Sequence, residues 1–196
     1  MIDVIDYGGG NLGSMLRCLD RLEVPYQRVS GQQLPSGKNP LLFPGVGSFG
    51  AAMQNLQESG LKARLQQLIK EGTPYLGICI GLQVLFDGSE EAPGVSGLGL
   101  IPGQVVQFKQ GKVPQIGWNW IESSKSDWDA GHVYFVNSFY PKPDDPNCAL
   151  YQADYYGPFT AAVQQDHMTA FQFHPEKSGP FGQTLIRRWC DAVNRN

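Results

Sequence analysis

The chain has 196 residues, a length that suits one domain with a substantial core and would cramp two. Hydrophobic residues make up 41% and charged residues only 17%, which excludes a disordered chain. The formal net charge of −3 weighs against unspecific attachment to nucleic acid or anionic membrane, and no apolar run is long enough to span a bilayer. With no basic start ahead of an apolar stretch, the expected compartment is the cytoplasm.

Met1 to Asp6 reads as a short strand, followed by a glycine-rich turn at Tyr7 to Gly13. Leu12, Leu16, Leu19 and Leu22 then recur at helical spacing until Pro25. Pro25 to Ser30 and Pro40 to Phe43 are predicted strands. Ser48 to Lys70 is helical in pattern with a break near Ser59-Gly60, and Tyr75 to Ile78 is a short apolar strand that runs into Cys79. This alternation of strand and helix predicts a parallel sheet covered on both faces.

From Leu98 onward the pattern changes to short extended runs. They are Val105 to Lys109, His132 to Phe139, Ala149 to Tyr155, Phe159 to Gln165 and Met168 to Phe173, separated by Gly, Pro and Asp-Asp-Pro. A helix from about Pro180 to Val193, with Phe181, Leu185 and Trp189 on one face, closes the chain. The expected architecture is one α/β domain over residues 1–196, a three-layer sandwich. Its central sheet is mostly parallel, with antiparallel strands in the C-terminal half.

Four cysteines stand far apart with no C-x-x-C pair, so neither a metal site nor a thioredoxin-like motif is expected. Gly8, Gly10 and Gly13 match G-x-G-x-x-G, as do Gly45, Gly47 and Gly50. The strand that should end in a ribose-binding acid ends instead at Val29-Ser30-Gly31, so these glycines read as tight turns and no nucleotide cofactor is expected. Gly77-Ile78-Cys79-Ile80-Gly81 is more specific. A thiol at that strand-to-helix turn sits on strained backbone, beside a helix N-terminus that favours thiolate and an Ile80 amide that faces a developing oxyanion. An ordinary tight turn with a buried cysteine would match the same five residues.

A thiol nucleophile needs a base. His174 ends a strand at Pro175 and is followed by Glu176, which can turn back to orient the imidazole. His132 and His167 have no such neighbours.

Gly77 to Gln83 together with Phe171-Gln172-Phe173-His174-Pro175-Glu176 resembles the triad-type, class I glutamine amidotransferases. Asp6 to Leu12, Pro44 to Gly50, Gly117-Trp118-Asn119, Tyr134-Phe135-Val136, Phe159 to Val163 and Lys177-Ser178 extend the resemblance over nearly the whole chain. Within that family these segments resemble the glutaminase subunits of imidazole glycerol phosphate synthase, from histidine biosynthesis.

The resemblance implies a flavodoxin-like fold and a reaction in which Cys79 attacks the side-chain amide of glutamine to give a thioester. His174 would protonate the departing ammonia and then activate water, with Glu176 holding the ring. Val46 and Ile80 match the two oxyanion amides, and the Pro44 to Gly47 turn would rearrange before its amide points inward. Gln83, Glu91, Ser138 and Phe139 match contacts to glutamine. Asn11, Tyr134 and Lys177 match interface positions toward a (β/α)8-barrel cyclase subunit that receives the ammonia in a heterodimer. The family usually carries histidine at Gln115 and Asn137; neither position belongs to the triad, so hydrolysis is expected to survive, and the departure bears on which acceptor takes the ammonia. A paralogous subunit that supplies ammonia for amidation of a surface sugar, an inactive regulatory subunit and a cysteine hydrolase of related fold are the alternatives.

Overall fold

The computed structural model describes residues 1–9 and 12–194. In chain order the strands are β1 (Ile2–Ile5), β2 (Tyr26–Val29), β3 (Leu41–Gly45), β4 (Tyr75–Cys79), β5 (Gly88–Ser89), β6 (Gly103–Gln107) and β7 (Gln115–Ser123). They continue with β8 (Gly131–Asn137), β9 (Phe139–Pro143), β10 (Ala149–Asp154), β11 (Pro158–Gln165) and β12 (Met168–Phe171). The helices are α1 (Leu12–Arg21), α2 (Phe49–Glu58), α3 (Leu61–Lys70), α4 (Ile80–Gln83) and α5 (Gly179–Asn194). None of them is long and apolar enough to cross a membrane.

Nine strands form one sheet in the order β2-β1-β3-β4-β12-β11-β10-β7-β8. The first five are mutually parallel, and the sheet continues from β12 through four antiparallel pairings. β12 is therefore the seam, with Phe171 beside Ile78 of β4 on one flank and Ala162 of β11 on the other.

Why the parallel part forms is visible in its burial. Every residue of β1, β3, β4 and β12 is buried, as strands with helices on both faces must be. Alternate side chains go to opposite cores: Leu42, Leu76, Ile78 and Phe171 pack with Met15 and Leu19 of α1 and Leu185, Ile186 and Trp189 of α5. Leu41, Phe43, Tyr75 and Ala170 pack with Phe49 and Leu56 of α2 and Leu65 and Leu68 of α3. The break between α2 and α3 falls at Ser59 and Gly60, where Gly60 takes a φ of 75°.

Two differences from the sequence reading concern the second half. The run His132 to Phe139 is two strands rather than one, because the chain leaves the large sheet at Ser138 and β9 joins a small sheet β5-β6-β9. β7, the longest strand, falls in a stretch the sequence left unassigned.

Candidate active site

The carboxyl ends of β1, β3, β4 and β12 lie side by side, and the segments that leave them carry Tyr7, Val46, Cys79 and His174. Ligands of open α/β sheets bind at this end of the strands.

Cys79 is the last residue of β4, and its backbone takes φ 53° and ψ −102°. A non-glycine residue held there stores strain of about 1–3 kcal/mol, which the surrounding fold must over-determine. The flanking glycines make that possible. A Cβ on Gly81 would overlap the Phe43 carbonyl oxygen of β3, and one on Gly77 would overlap the Gly81 carbonyl. The buried Tyr75 hydroxyl donates to that same Gly81 oxygen at 2.6 Å and ties the turn to the start of β4. The helix expected after Cys79 is a single turn, Ile80–Gln83; the Ile80 N–H, in its first position, has no intrahelical acceptor.

His174 is fixed by its backbone as much as by its side chain. Its N–H donates to the Tyr134 carbonyl of β8 at 2.9 Å, and its carbonyl accepts from the Ser178 hydroxyl at 2.7 Å. Ser178 Oγ in turn accepts from the Tyr134 N–H at 2.9 Å. The ring Nδ1 and Glu176 Oε1 are 2.9 Å apart, with both side chains buried. Nε2 is left for another partner. Burial alone would lower the pKa of this ring; the nearby Cys79 and the Glu176 carboxylate overcome it and raise the pKa from 6.5 to about 10. A thiol with an imidazole held by a carboxylate is a nucleophile, base and orienter in one constellation.

The other thiols are unsuited to that role. Burial pushes Cys148 and Cys190 up to about 11 and raises Cys18 as well, which leaves little thiolate near neutral pH.

A cleft of about 250 Å³ opens over Cys79, lined also by Val46, Gln83, Glu91, Ser138 and Phe139. The six lie in three stretches far apart in sequence, at 46, 79–91 and 138–139, and the fold brings all of them together. Glu91 Oε2 accepts from the Phe49 N–H at 2.7 Å, at the N-terminus of α2. Gln83 Nε2 reaches Gln172 Oε1 at 3.1 Å and the Phe139 carbonyl at 3.5 Å. Tyr134 and Lys177 lie on the segments that hold His174, and Asn11 falls outside the described residues.

Sequence reasoning missed two residues at this site. Gln172, fully buried, directs its Nε2 to Cys79 Sγ at 3.6 Å and links the thiol to Gln83. A polar residue in the otherwise apolar run Ala170-Phe171-Gln172-Phe173 was the available signal. Tyr7 was read only as part of a turn; its hydroxyl donates to the Val46 carbonyl. Gln115 and Asn137 face each other across β7 and β8, both buried, and Asn137 lines the cleft.

The model of the family described as glutamine amidotransferase class-I matches residues 3–193, and the chain belongs to that family. Its relatives narrow the assignment to subunit HisH of imidazole glycerol phosphate synthase. The HisH of a Thermus thermophilus strain is 44% identical over 196 residues, spanning 97% of this chain and 98% of its own. Those of Herpetosiphon aurantiacus and Methanothermobacter thermautotrophicus are each 41% identical over 98% of this chain. Among solved structures, a glutamine amidotransferase superposes with a TM-score of 0.80 at 20% identity, over 98% of both chains. PurLQS from Thermotoga maritima follows at 0.75 and 16%. At those identities the likeness shows the fold.

Proposed function

We propose that this chain acts as one glutaminase domain, the HisH subunit of a cytoplasmic imidazole glycerol phosphate synthase in histidine biosynthesis. The observation that carries the reading is Cys79 on a strained turn beside a buried His174–Glu176 pair, in a chain 44% identical to a HisH subunit.

In this reading Cys79 Sγ attacks the side-chain amide carbon of glutamine, and the amides of Ile80 and Val46 hold the oxyanion. His174, its pKa raised, carries the proton that the departing nitrogen takes as ammonia leaves. The neutral ring then removes a proton from water, which attacks the thioester to release glutamate and restore the thiol. Glu176 keeps Nε2 aimed at the reaction. Glu91 would meet the substrate ammonium, Gln83 its body, and the Ser138-Phe139 backbone its carboxylate.

The ammonia goes to a partner synthase subunit, for which a (β/α)8-barrel cyclase is proposed. There it and a phosphoribulosyl formimino carboxamide ribonucleotide give imidazole glycerol phosphate and an aminoimidazole carboxamide ribonucleotide. Support for a docking face comes from the edge of the sheet. Ile116, Trp118 and Trp120 of β7 project from the same face as Val136, Tyr134 and His132 of β8, with Trp118 57% and Trp120 43% exposed. This apolar face adjoins the cleft through Val136 and the triad through Tyr134. Asn11, Tyr134 and Lys177 are proposed to couple the two sites across it.

The test is product formation by the chain mixed with a cyclase subunit and its ribonucleotide. Glutamine should support imidazole glycerol phosphate synthesis with wild type but not with Cys79→Ala, while added ammonium salt should bypass the variant. Cys79-dependent glutamate release without that product would move the acceptor toward a surface sugar.

A further inference from the structure

Gln172 follows the end of β12 and is wholly buried, with its backbone N–H held by the Ala161 carbonyl of β11 at 2.8 Å. The parallel register that pairs Phe171 with Ile78 sets position 172 beside Cys79. Its side-chain Nε2 lies 3.6 Å from Cys79 Sγ, and its Oε1 accepts from Gln83 Nε2 at 3.1 Å. A polar side chain buried this deeply must find its partners within the protein, and each end of this amide has one.

The direction of these bonds is set by a backbone group. The Phe139 carbonyl can only accept, so the end of the Gln83 side chain that faces it, at 3.5 Å, is the nitrogen. The same Nε2 meets Gln172, which must therefore offer its oxygen there. Gln172 is left with its nitrogen toward the sulfur. Asn137 Nδ2 donates to the same Phe139 carbonyl at 3.0 Å and steadies this anchor. Phe139, Gln83, Gln172 and Cys79 thus form one line of hydrogen bonds with a single permitted polarity.

We propose that Gln172 is a positioning residue that holds Cys79 Sγ through its side-chain amide and gives the charged sulfur a constant hydrogen-bond donor. The proposal deepens the glutaminase reading above and rests on it. In that reading His174 gives a proton to the departing nitrogen and later takes one from water, so its ring alternates between donor and acceptor. An amide N–H does not titrate and donates at every step. Sulfur carries negative charge before it attacks the amide carbon. It does so again once water has attacked the thioester and the electron pair of the breaking C–S bond returns to sulfur. At both points a donor supports the charge.

A hydrogen bond to a charged group is worth about tenfold or more in an equilibrium. Gln172→Met fills the same space without a donor and leaves Gln83 the Phe139 carbonyl. The experiment measures two rates per folded molecule for wild type and Gln172→Met, with Cys79→Ala as the blank. One is glutamate release from glutamine with the synthase partner present. The other is alkylation of Cys79 by iodoacetamide without glutamine, read by mass spectrometry of the Cys79 peptide. Charged sulfur is the form that reacts, so a role confined to packing would leave the second rate unmoved. The expected result is that kcat and the alkylation rate both fall about tenfold while KM stays within about twofold. Gln172→Leu is expected to do the same and takes the place of the first variant should that one fail to fold. Lowered kcat with normal alkylation overturns the inference, because Gln172 would then act on the substrate through Gln83. Unchanged kcat overturns it at any alkylation rate. A wild type no more active than Cys79→Ala, with alkylation still slowed in Gln172→Met, would instead remove the glutaminase reading and leave the hold on sulfur standing.

Discussion

In the parallel part of the sheet β1, β3, β4 and β12 are buried on both faces, and the chemistry proposed above leaves from their carboxyl ends, as at Cys79 of β4. The antiparallel part is built differently: β8 alternates between buried and exposed residues, and its open face, with that of β7, carries Trp118, Tyr134 and Trp120. The covered part leaves no freedom for the nucleophile. The half-open part holds His174 through the Tyr134 backbone and turns an unpartnered aromatic surface outward. Chemistry is thus proposed where strain can be over-determined, and contact with another protein where a sheet face remains available.

The largest effect should come from the covered side. Cys79→Ala is expected to lower glutamine turnover by about 10⁴-fold or more, and adding His174→Ala should cost little further, because the triad works as a unit. Initial rates of glutamate release with the two single variants and the double one check this. A double variant that multiplied the two losses would break the unit.

Gly81→Ala tests whether the turn is held by packing. The added methyl must push into a β3 carbonyl, so a loss of about 3 kcal/mol or more is expected in chemical denaturation. Stability within about 0.5 kcal/mol of wild type would mean that the elbow has room the structure does not show.

The half-open side should respond in the opposite way. Trp118→Ala removes an exposed ring, so the stability of the chain alone should change by no more than about 0.5 kcal/mol. Affinity for the synthase partner should fall about 30-fold, the loss typical of a buried aromatic anchor. Calorimetric titration reads the second quantity. Unchanged affinity would remove this face from the interface.

Glu176→Gln should have the smallest effect on turnover, about tenfold, together with a change in pH dependence. The His174 pKa is raised, so the imidazolium contributes stability that is complete below pH 6.5 and is lost as the pH rises through about 10. The wild type should therefore exceed the variant in urea stability most clearly below pH 6.5, and the gap should close above about pH 10. A gap that widened with pH would contradict the charge state assigned to the ring.

Much of the covered part was legible in the sequence because its signals are local. The G-x-C-x-G elbow, the break at Ser59-Gly60 and the apolar runs of β3 and β4 each lie within a few residues. His174 and Glu176 were legible for the same reason, being two residues apart with a strand-ending proline between them. β7 was missed because its polarity is inverted: Ile116, Trp118 and Trp120 face outward while Gly117 and Asn119 face the other way. Gln172 and Tyr7 were missed because their partners, Cys79 and Val46, are set by strand order and register, which no single segment encodes.

Glutamate release from glutamine by the purified chain, alone and with the synthase partner, compared with Cys79→Ala, tests the central claim most directly. Turnover that rises when the partner binds and vanishes in the variant is the expected result. Glutamate formed equally well by Cys79→Ala, or by neither protein under either condition, would contradict it.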